Sequence, residues 1–118
     1  MEQIKIEGID APLSRLVYGT GTAILEGDDQ QAAFECLDMA WEAGFRVFDT
    51  AHSYKQAEEN LGAWMDKRRV RKEIALLDKG CNPGQNGSED IFSADTIRSH
   101  MTESLRRLKT EKVEFYIL

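Results

Sequence analysis

Asp49, Tyr54 and Lys79 carry side chains that could share one proton. A tyrosine titrates near ~10, too high to give up a proton readily at neutral pH. An ammonium beside a phenol stabilises the phenolate, and a carboxylate beside the ammonium holds that cation charged and in place. An acid, a phenol and an amine brought together in this way form a proton donor for a carbonyl oxygen. The matching chemistry is carbonyl reduction, with hydride arriving from a nicotinamide. The same residue types also fit a purely structural use. Asp49 would then cap a loop, Tyr54 pack at its rim, and Lys79 be a solvated strand end.

The elements around these residues decide whether they meet. An apolar run over 45–48 ends on Asp49, and Tyr54 follows within one loop. A second run over 74–78 ends on Lys79. Both read as strands that deliver a polar group at the carboxyl end. Residues 4–6 and the turn-like 8–12 read as a short hairpin, and 16–20 as a buried strand. Asp28 and Asp29 start a helix whose apolar face is Ala33, Phe34, Leu37, Ala40 and Trp41. Gly44 ends it, since glycine tolerates the left-handed cap conformation. Ala57, Leu61, Trp64 and Met65 line a second helix. The cations at 67–72 oppose the negative end of its dipole, so this cluster reads as a helix end and turn. Asn82-Pro83-Gly84 and Asn86-Gly87 are turn signals in a polar segment over 80–90. Ser93 caps a third helix with Ile97, Met101, Leu105 and Leu108 on its apolar face and His100 on an exposed one. Residues 113–118 form the last strand.

This β-α-β-α-β-α-β order after a hairpin implies an α/β fold with a parallel sheet and right-handed crossovers. Sites in such sheets gather at the carboxyl ends of the strands, where Thr20, Gly21, Thr22, Asp49, Tyr54 and Lys79 fall. A complete (β/α)8 barrel takes about 250 residues. The 118 residues here leave either an open doubly wound sheet or an incomplete barrel.

Composition narrows the function classes. Hydrophobic residues make up 42% and charged residues 31%, as expected for one water-soluble domain. A net charge of -6 argues against a nucleic-acid or anionic-membrane partner. No apolar run approaches the roughly 20 residues that span a bilayer, and residues 1–5 lack the layout of a signal peptide. Cys36 and Cys81 have no CxxC spacing, which suits two reduced thiols in a cytoplasmic protein and no metal site. Cys81, close to Lys79, reads as a passive thiol, His52 as a loop-packing residue, and Trp41 and Trp64 as core. No P-loop or GxGxxG follows a strand, which disfavours an open-sheet phosphate-binding protein.

The chain resembles the N-terminal half of an aldo-keto reductase. The stretch 44–54 (GFRVFDTAHSY), followed by Ala57, Glu58, Glu59, Asn60, Leu61 and Gly62, is similar to that family's second strand and helix. Leu77-Asp78-Lys79-Gly80 resembles its lysine-bearing strand, residues 103–108 (ESLRRL) and 113–118 its next helix and fourth strand, and 16–22 its first strand. The resemblance implies parallel (β/α) units forming about half of a TIM-type (β/α)8 barrel, with an N-terminal β-hairpin across its bottom. It implies NADPH-dependent reduction of small aldehydes and ketones, with NADH as the alternative cofactor. Tyr54 would be the general acid, Lys79 would tune it and Asp49 would pair with Lys79. Gly19, Thr20, Gly21, Thr22 and Asp49 would lie near the cofactor.

The match has departures. The family's fourth catalytic residue, a histidine directly after the fourth strand, would follow Leu118. The groups that hold the nicotinamide and the adenosine phosphate belong to the family's second half. The expectation is therefore one partial domain over 1–118, weak NADPH binding and no turnover by this chain alone. The alternative is a non-catalytic interaction or regulatory module on the same fold. Lys55 stands where a glycine usually follows the motif tyrosine, and would take a positive φ at some cost. A half barrel also leaves its first and last strands with unpaired edges and its apolar interior open. Self-association through those edges, partial disorder, or origin in a longer chain is expected.

Overall fold

The structure is a computed structural model and describes residues 1–83 and 92–118. Gly84 and the Asn86-Gly87 turn signal lie outside the described residues. Strands β1 (Gln3–Ile4) and β2 (Leu13–Ser14) pair antiparallel, with Ile4 opposite Leu13. There follow β3 (Tyr18–Gly19), α1 (Gln30–Glu42), β4 (Val47–Asp49), α2 (Ala57–Arg68), β5 (Ala75–Lys79), α3 (Ala94–Arg107) and β6 (Phe115–Ile117). The last four strands form one parallel sheet in the order β3-β4-β5-β6. This is the α/β arrangement and the N-terminal hairpin expected from the sequence.

Local chemistry sets the element ends. Asp29 caps α1 by accepting from Ala32 N at 3.1 Å, and Gly44 leaves it at φ 96°. Lys67 and Arg68 occupy the last turn of α2 before Arg69 turns left-handed at φ 58°. Ser93 caps α3 through Thr96 N at 3.1 Å. Each of these ends was legible in the sequence.

Strand alternation sorts the side chains into two layers. Phe48 and Leu76 face the helices and are fully buried with Leu37, Leu61, Trp64 and Leu108. Val47 and Ala75 face the other way and pack with Leu13 of the hairpin, with Ile6, Ile9 and Phe115 around them. The hairpin thus covers the amino end of the concave face. Further along the strands, on that same face, come Asp49, two residues after Val47, and Lys79, four after Ala75. Gly62 lets α2 and α3 touch: a Cβ there would collide with the Arg107 carbonyl and lie 2.8 Å from Leu108 Cα.

Two expectations need correction. Residues 16–17 do not form a buried strand: Leu16 and Val17 are 60% and 47% exposed, and β3 is only two residues long. Among the described residues β3 pairs on one side only, so apolar composition there does not bring burial. The other edge behaves alike, with Ile117 and Leu118 largely exposed on and beyond β6. On α3 the buried positions are His100 and Ser104, while Ile97, Met101 and Leu105 are only half-buried. His100 is therefore not on an exposed face. The helix turns a polar stripe inward because polar side chains from β5 and α2 lie beneath it.

Candidate active site

β4 and β5 bring the acid and the amine together. Asp49 is in register with Leu77, two residues before Lys79, so both side chains emerge on the concave face. Lys79 Nζ lies 2.6 Å from Asp49 Oδ1, with each side chain about a quarter exposed. The ammonium also stands 5.1 Å from the centre of the Tyr54 ring, within the range in which a cation is attracted by an aromatic face. The three residues singled out by type and spacing therefore meet at one place.

Backbone bonds fix the Tyr54 loop to the strand ends. His52 N donates to Lys79 O at 2.8 Å, and Thr50 N to Leu77 O at 2.9 Å. Tyr54 N donates to Ala51 O at 3.0 Å, and Tyr54 O accepts from Ala57 N at 2.7 Å. Lys55 takes φ 41°, a left-handed conformation that costs a non-glycine residue about 1 kcal/mol. The turn tolerates that cost and still holds Tyr54 beside Lys79.

The loop after β3 closes on the same ring. A Cβ on Gly21 would sit 3.1 Å from Tyr54 Cε2 and Cζ, so glycine permits this approach. Gly19, Gly21 and Thr22 are exposed, whereas Thr20 is fully enclosed. Thr20 N donates to Asp49 O at 2.9 Å, and Thr22 Oγ1 caps the following turn by accepting from Leu25 N at 3.3 Å.

A cavity of about 290 Å³ opens at this end of the sheet, with Tyr54, Lys79, Cys81, Asn82, Phe92 and Ile117 among its walls. A larger cleft of about 860 Å³ lies at the amino end, near Ile9 and Lys109, and holds none of the three site residues. Of its four cations, Arg71 and Lys112 are turned to Glu114, at 3.0 and 3.6 Å. Among the described residues no cluster of His, Cys, Asp and Glu is arranged to hold a metal ion, and no helix is long and apolar enough to cross a membrane.

Residues 15–118 match the Aldo/keto reductase family. The chain belongs to that family. It is 34% identical over 116 residues to the uncharacterized oxidoreductase YrpG of Bacillus subtilis, covering 88% of this chain and 35% of that protein. It is 31% identical over 113 residues to an aryl-alcohol dehydrogenase [NADP(+)] of Phanerodontia chrysosporium, covering 85% of this chain and 28% of that protein. Among solved structures, the holo form of aldo-keto reductase AKR11C1 from Bacillus halodurans superposes with a TM-score of 0.76 at 28% identity. That match covers 99% of this chain and 40% of the other. The chain thus spans well under half the length of these relatives, as part of a TIM-type barrel.

A nicotinamide cofactor is the group that membership of this family implies for the described residues. They fit its reactive end: a polar triad stands beside a loop that presents Gly21 without a side chain. Among the described cavity walls the only cation is Lys79, and its partner is Asp49. The phosphates of such a cofactor would find no second positive group there.

Behind this candidate site lies a buried polar layer that the sequence reading passed over. His52 does not stay in its loop. Its Nε2 is 2.8 Å from Glu103 Oε2, and its ring stacks on His100 at 4.0 Å and 10°. His100 Nδ1 accepts from Cys81 N at 3.1 Å, and burial, with His52 beside it, keeps His100 below the usual histidine range. The His52 contact, and behind it the Arg107 charge, holds the Glu103 carboxyl below the ordinary carboxylate range. Arg107 reaches Glu103 at 2.6 Å, Glu58 at 3.1 Å and Glu59 at 3.4 Å. The available signal was Asp78, an acid inside an apolar strand.

Proposed function

We propose that this chain is part of an NADPH-dependent reductase of small aldehydes and ketones, with Tyr54 as the proton donor. The observation that carries the reading is Lys79 Nζ placed 2.6 Å from Asp49 and against the face of Tyr54. When bound, the nicotinamide supplies the hydride. Tyr54 gives its hydroxyl proton to the carbonyl oxygen as that oxygen gains negative charge. Lys79 stabilises the resulting phenolate, and Asp49 keeps the ammonium charged and aimed. The NADP named for the Phanerodontia chrysosporium relative favours NADPH over NADH. Two free cysteines agree with a cytoplasmic location.

The test is Tyr54→Phe in a chain extended by the remaining barrel units of a relative. Phe keeps the ring that meets Gly21 and Lys79 and removes only the proton. The expected result is a fall in kcat of about 100- to 10,000-fold with cofactor affinity unchanged. Unaltered turnover would remove Tyr54 from the mechanism.

We also propose that the isolated chain self-associates. Leu16 and Val17 at one sheet edge and Ile117 and Leu118 at the other leave apolar side chains exposed next to unpaired strands. Size-exclusion with light scattering should give a mass above that of one chain. A clean monomer at micromolar concentration rules this out.

A further inference from the structure

Asp78 directly precedes Lys79 on β5 and so points to the opposite face of the sheet. Lys79 faces the cavity, and Asp78 faces the helices, where it is fully buried. Glu58, also fully buried, comes from the first turn of α2, four residues after Tyr54. Asp78 lies near Glu58 and Ser104 of α3, each of them fully buried. The two carboxyls thus join the backs of the two segments that carry Lys79 and Tyr54.

Charge in this layer does not balance if both acids are ionised. Arg107 already serves Glu58, Glu59 and Glu103. No cation reaches Asp78 among the described residues: both its oxygens, Glu58 Oε1, Ser104 Oγ and the Tyr116 hydroxyl are buried without a hydrogen bond of ordinary geometry. Two adjacent buried carboxylates with a single guanidinium cannot both remain charged at modest cost.

We propose that Asp78 and Glu58 share one proton, and that this pair is a positioning element holding β5, and with it Lys79, against the start of α2 and the Tyr54 loop. Glu58 keeps its charge, because its Oε2 accepts from Arg107 at 3.1 Å. Asp78 carries the proton and donates it to the free oxygen of Glu58. Loss of that proton to solvent puts two anions in contact and separates strand from helix. The other groups facing the pair do not replace it. Burial, then the Asp78 charge, pushes the Tyr116 phenol up to about 12, so it stays neutral. Burial keeps His100 neutral as well, Cys81 contributes only a buried thiol, and Ser104 has a single proton to give. Burial, reinforced by Glu58, lifts Asp78 to about 7.

The sign follows from this rise above the ordinary aspartate value. Protonated Asp78 favours the folded state. Its contribution is complete below the unfolded value near ~4 and is lost as pH rises through about 7. Asn at this position keeps a donor for Glu58 and has nothing to titrate.

The positioning claim rests on the reductase reading of Tyr54 and Lys79, whereas the shared proton does not. The experiment is carbon-13 NMR of aspartate carboxyls in the 118-residue chain from about pH 4 to about pH 9. Nitrogen-15 and ring signals of Lys79 and Tyr54 are followed in the same samples. The expected result is an Asp78 resonance that titrates near neutrality, with Tyr54 and Lys79 signals shifting at the same midpoint. In Asp78→Asn those two shifts should disappear. Should that variant not fold, Glu58→Gln serves instead and should lower the Asp78 midpoint, since the neighbouring charge that raises it is gone. An Asp78 midpoint in the ordinary carboxylate range overturns the shared proton. A neutral midpoint with Tyr54 and Lys79 unmoved overturns the positioning role. Neither readout needs turnover, so a titrating pair together with unaltered turnover of Tyr54→Phe in the extended chain would sink the reductase reading alone.

Discussion

Mixed with NADPH and an aromatic aldehyde, the 118-residue chain is expected to oxidise the cofactor at least about 1,000-fold more slowly than a full-length aldo/keto reductase. Tyr54, the proposed proton donor, stands beside Lys79 and Asp49. What limits the rate is their surroundings. Asp49 and Lys79 are each about a quarter exposed, and the cavity wall at Ile117 and Leu118 is open. Water that reaches the site weakens every charge–charge term acting on the developing oxyanion. The described walls supply no cation beyond Lys79 to grip a phosphate, so cofactor occupancy is low as well. The assay is loss of NADPH absorbance against a no-aldehyde control. A rate within tenfold of a full-length relative would show that this chain completes the site, most readily through a second copy. The light-scattering measurement separates these cases, since a completed site on a monomer and one on an assembly differ in mass.

The concave site was readable because its determinants are local. Asp49 and Lys79 each end an apolar run, and alternation by two puts each on the same face as the residue two before it. Tyr54 follows on a loop too short to leave that edge. The buried polar layer was not readable for the opposite reason. On α3 the spacing of Ile97, Met101, Leu105 and Leu108 outweighed His100 and Ser104, yet of the four apolar residues only Leu108 is buried, while His100 and Ser104 both are. Helical periodicity reports which residues could share a face, not what that face will meet. Here it meets Asp78 of β5 and Glu58 of α2, and that encounter depends on three separate elements packing together. Leu16 and Val17 fail in the other direction, since apolar side chains at a sheet edge stay exposed when nothing covers them.

Arg107 is where that packing is most vulnerable. Its guanidinium donates to Glu58 Oε2 at 3.1 Å, to Glu103 Oε1 at 2.6 Å and to the His52 carbonyl at 3.1 Å. One residue thereby ties α3 to α2 and to the loop that carries Tyr54. Arg107→Met keeps an apolar stem but removes every donor. Glu58, fully buried, is left as an uncompensated charge beside Asp78. Removing one partner of a buried pair costs about 3–5 kcal/mol, against a total stability of about 5–15 kcal/mol for an ordinary domain. Urea denaturation at neutral pH should therefore show a chain that has lost a large part of its stability. Arg107→Lys restores the charge but not the planar fork and should fall between the two. Adding Glu58→Gln to Arg107→Met should recover much of the loss, because the charge that needed the cation is gone. An Arg107→Met chain with an unchanged midpoint, or a double variant no better than the single one, would place the cost elsewhere. Recovery by Glu58→Gln identifies the stranded carboxylate as its source, because the substitution changes charge while leaving side-chain volume nearly constant.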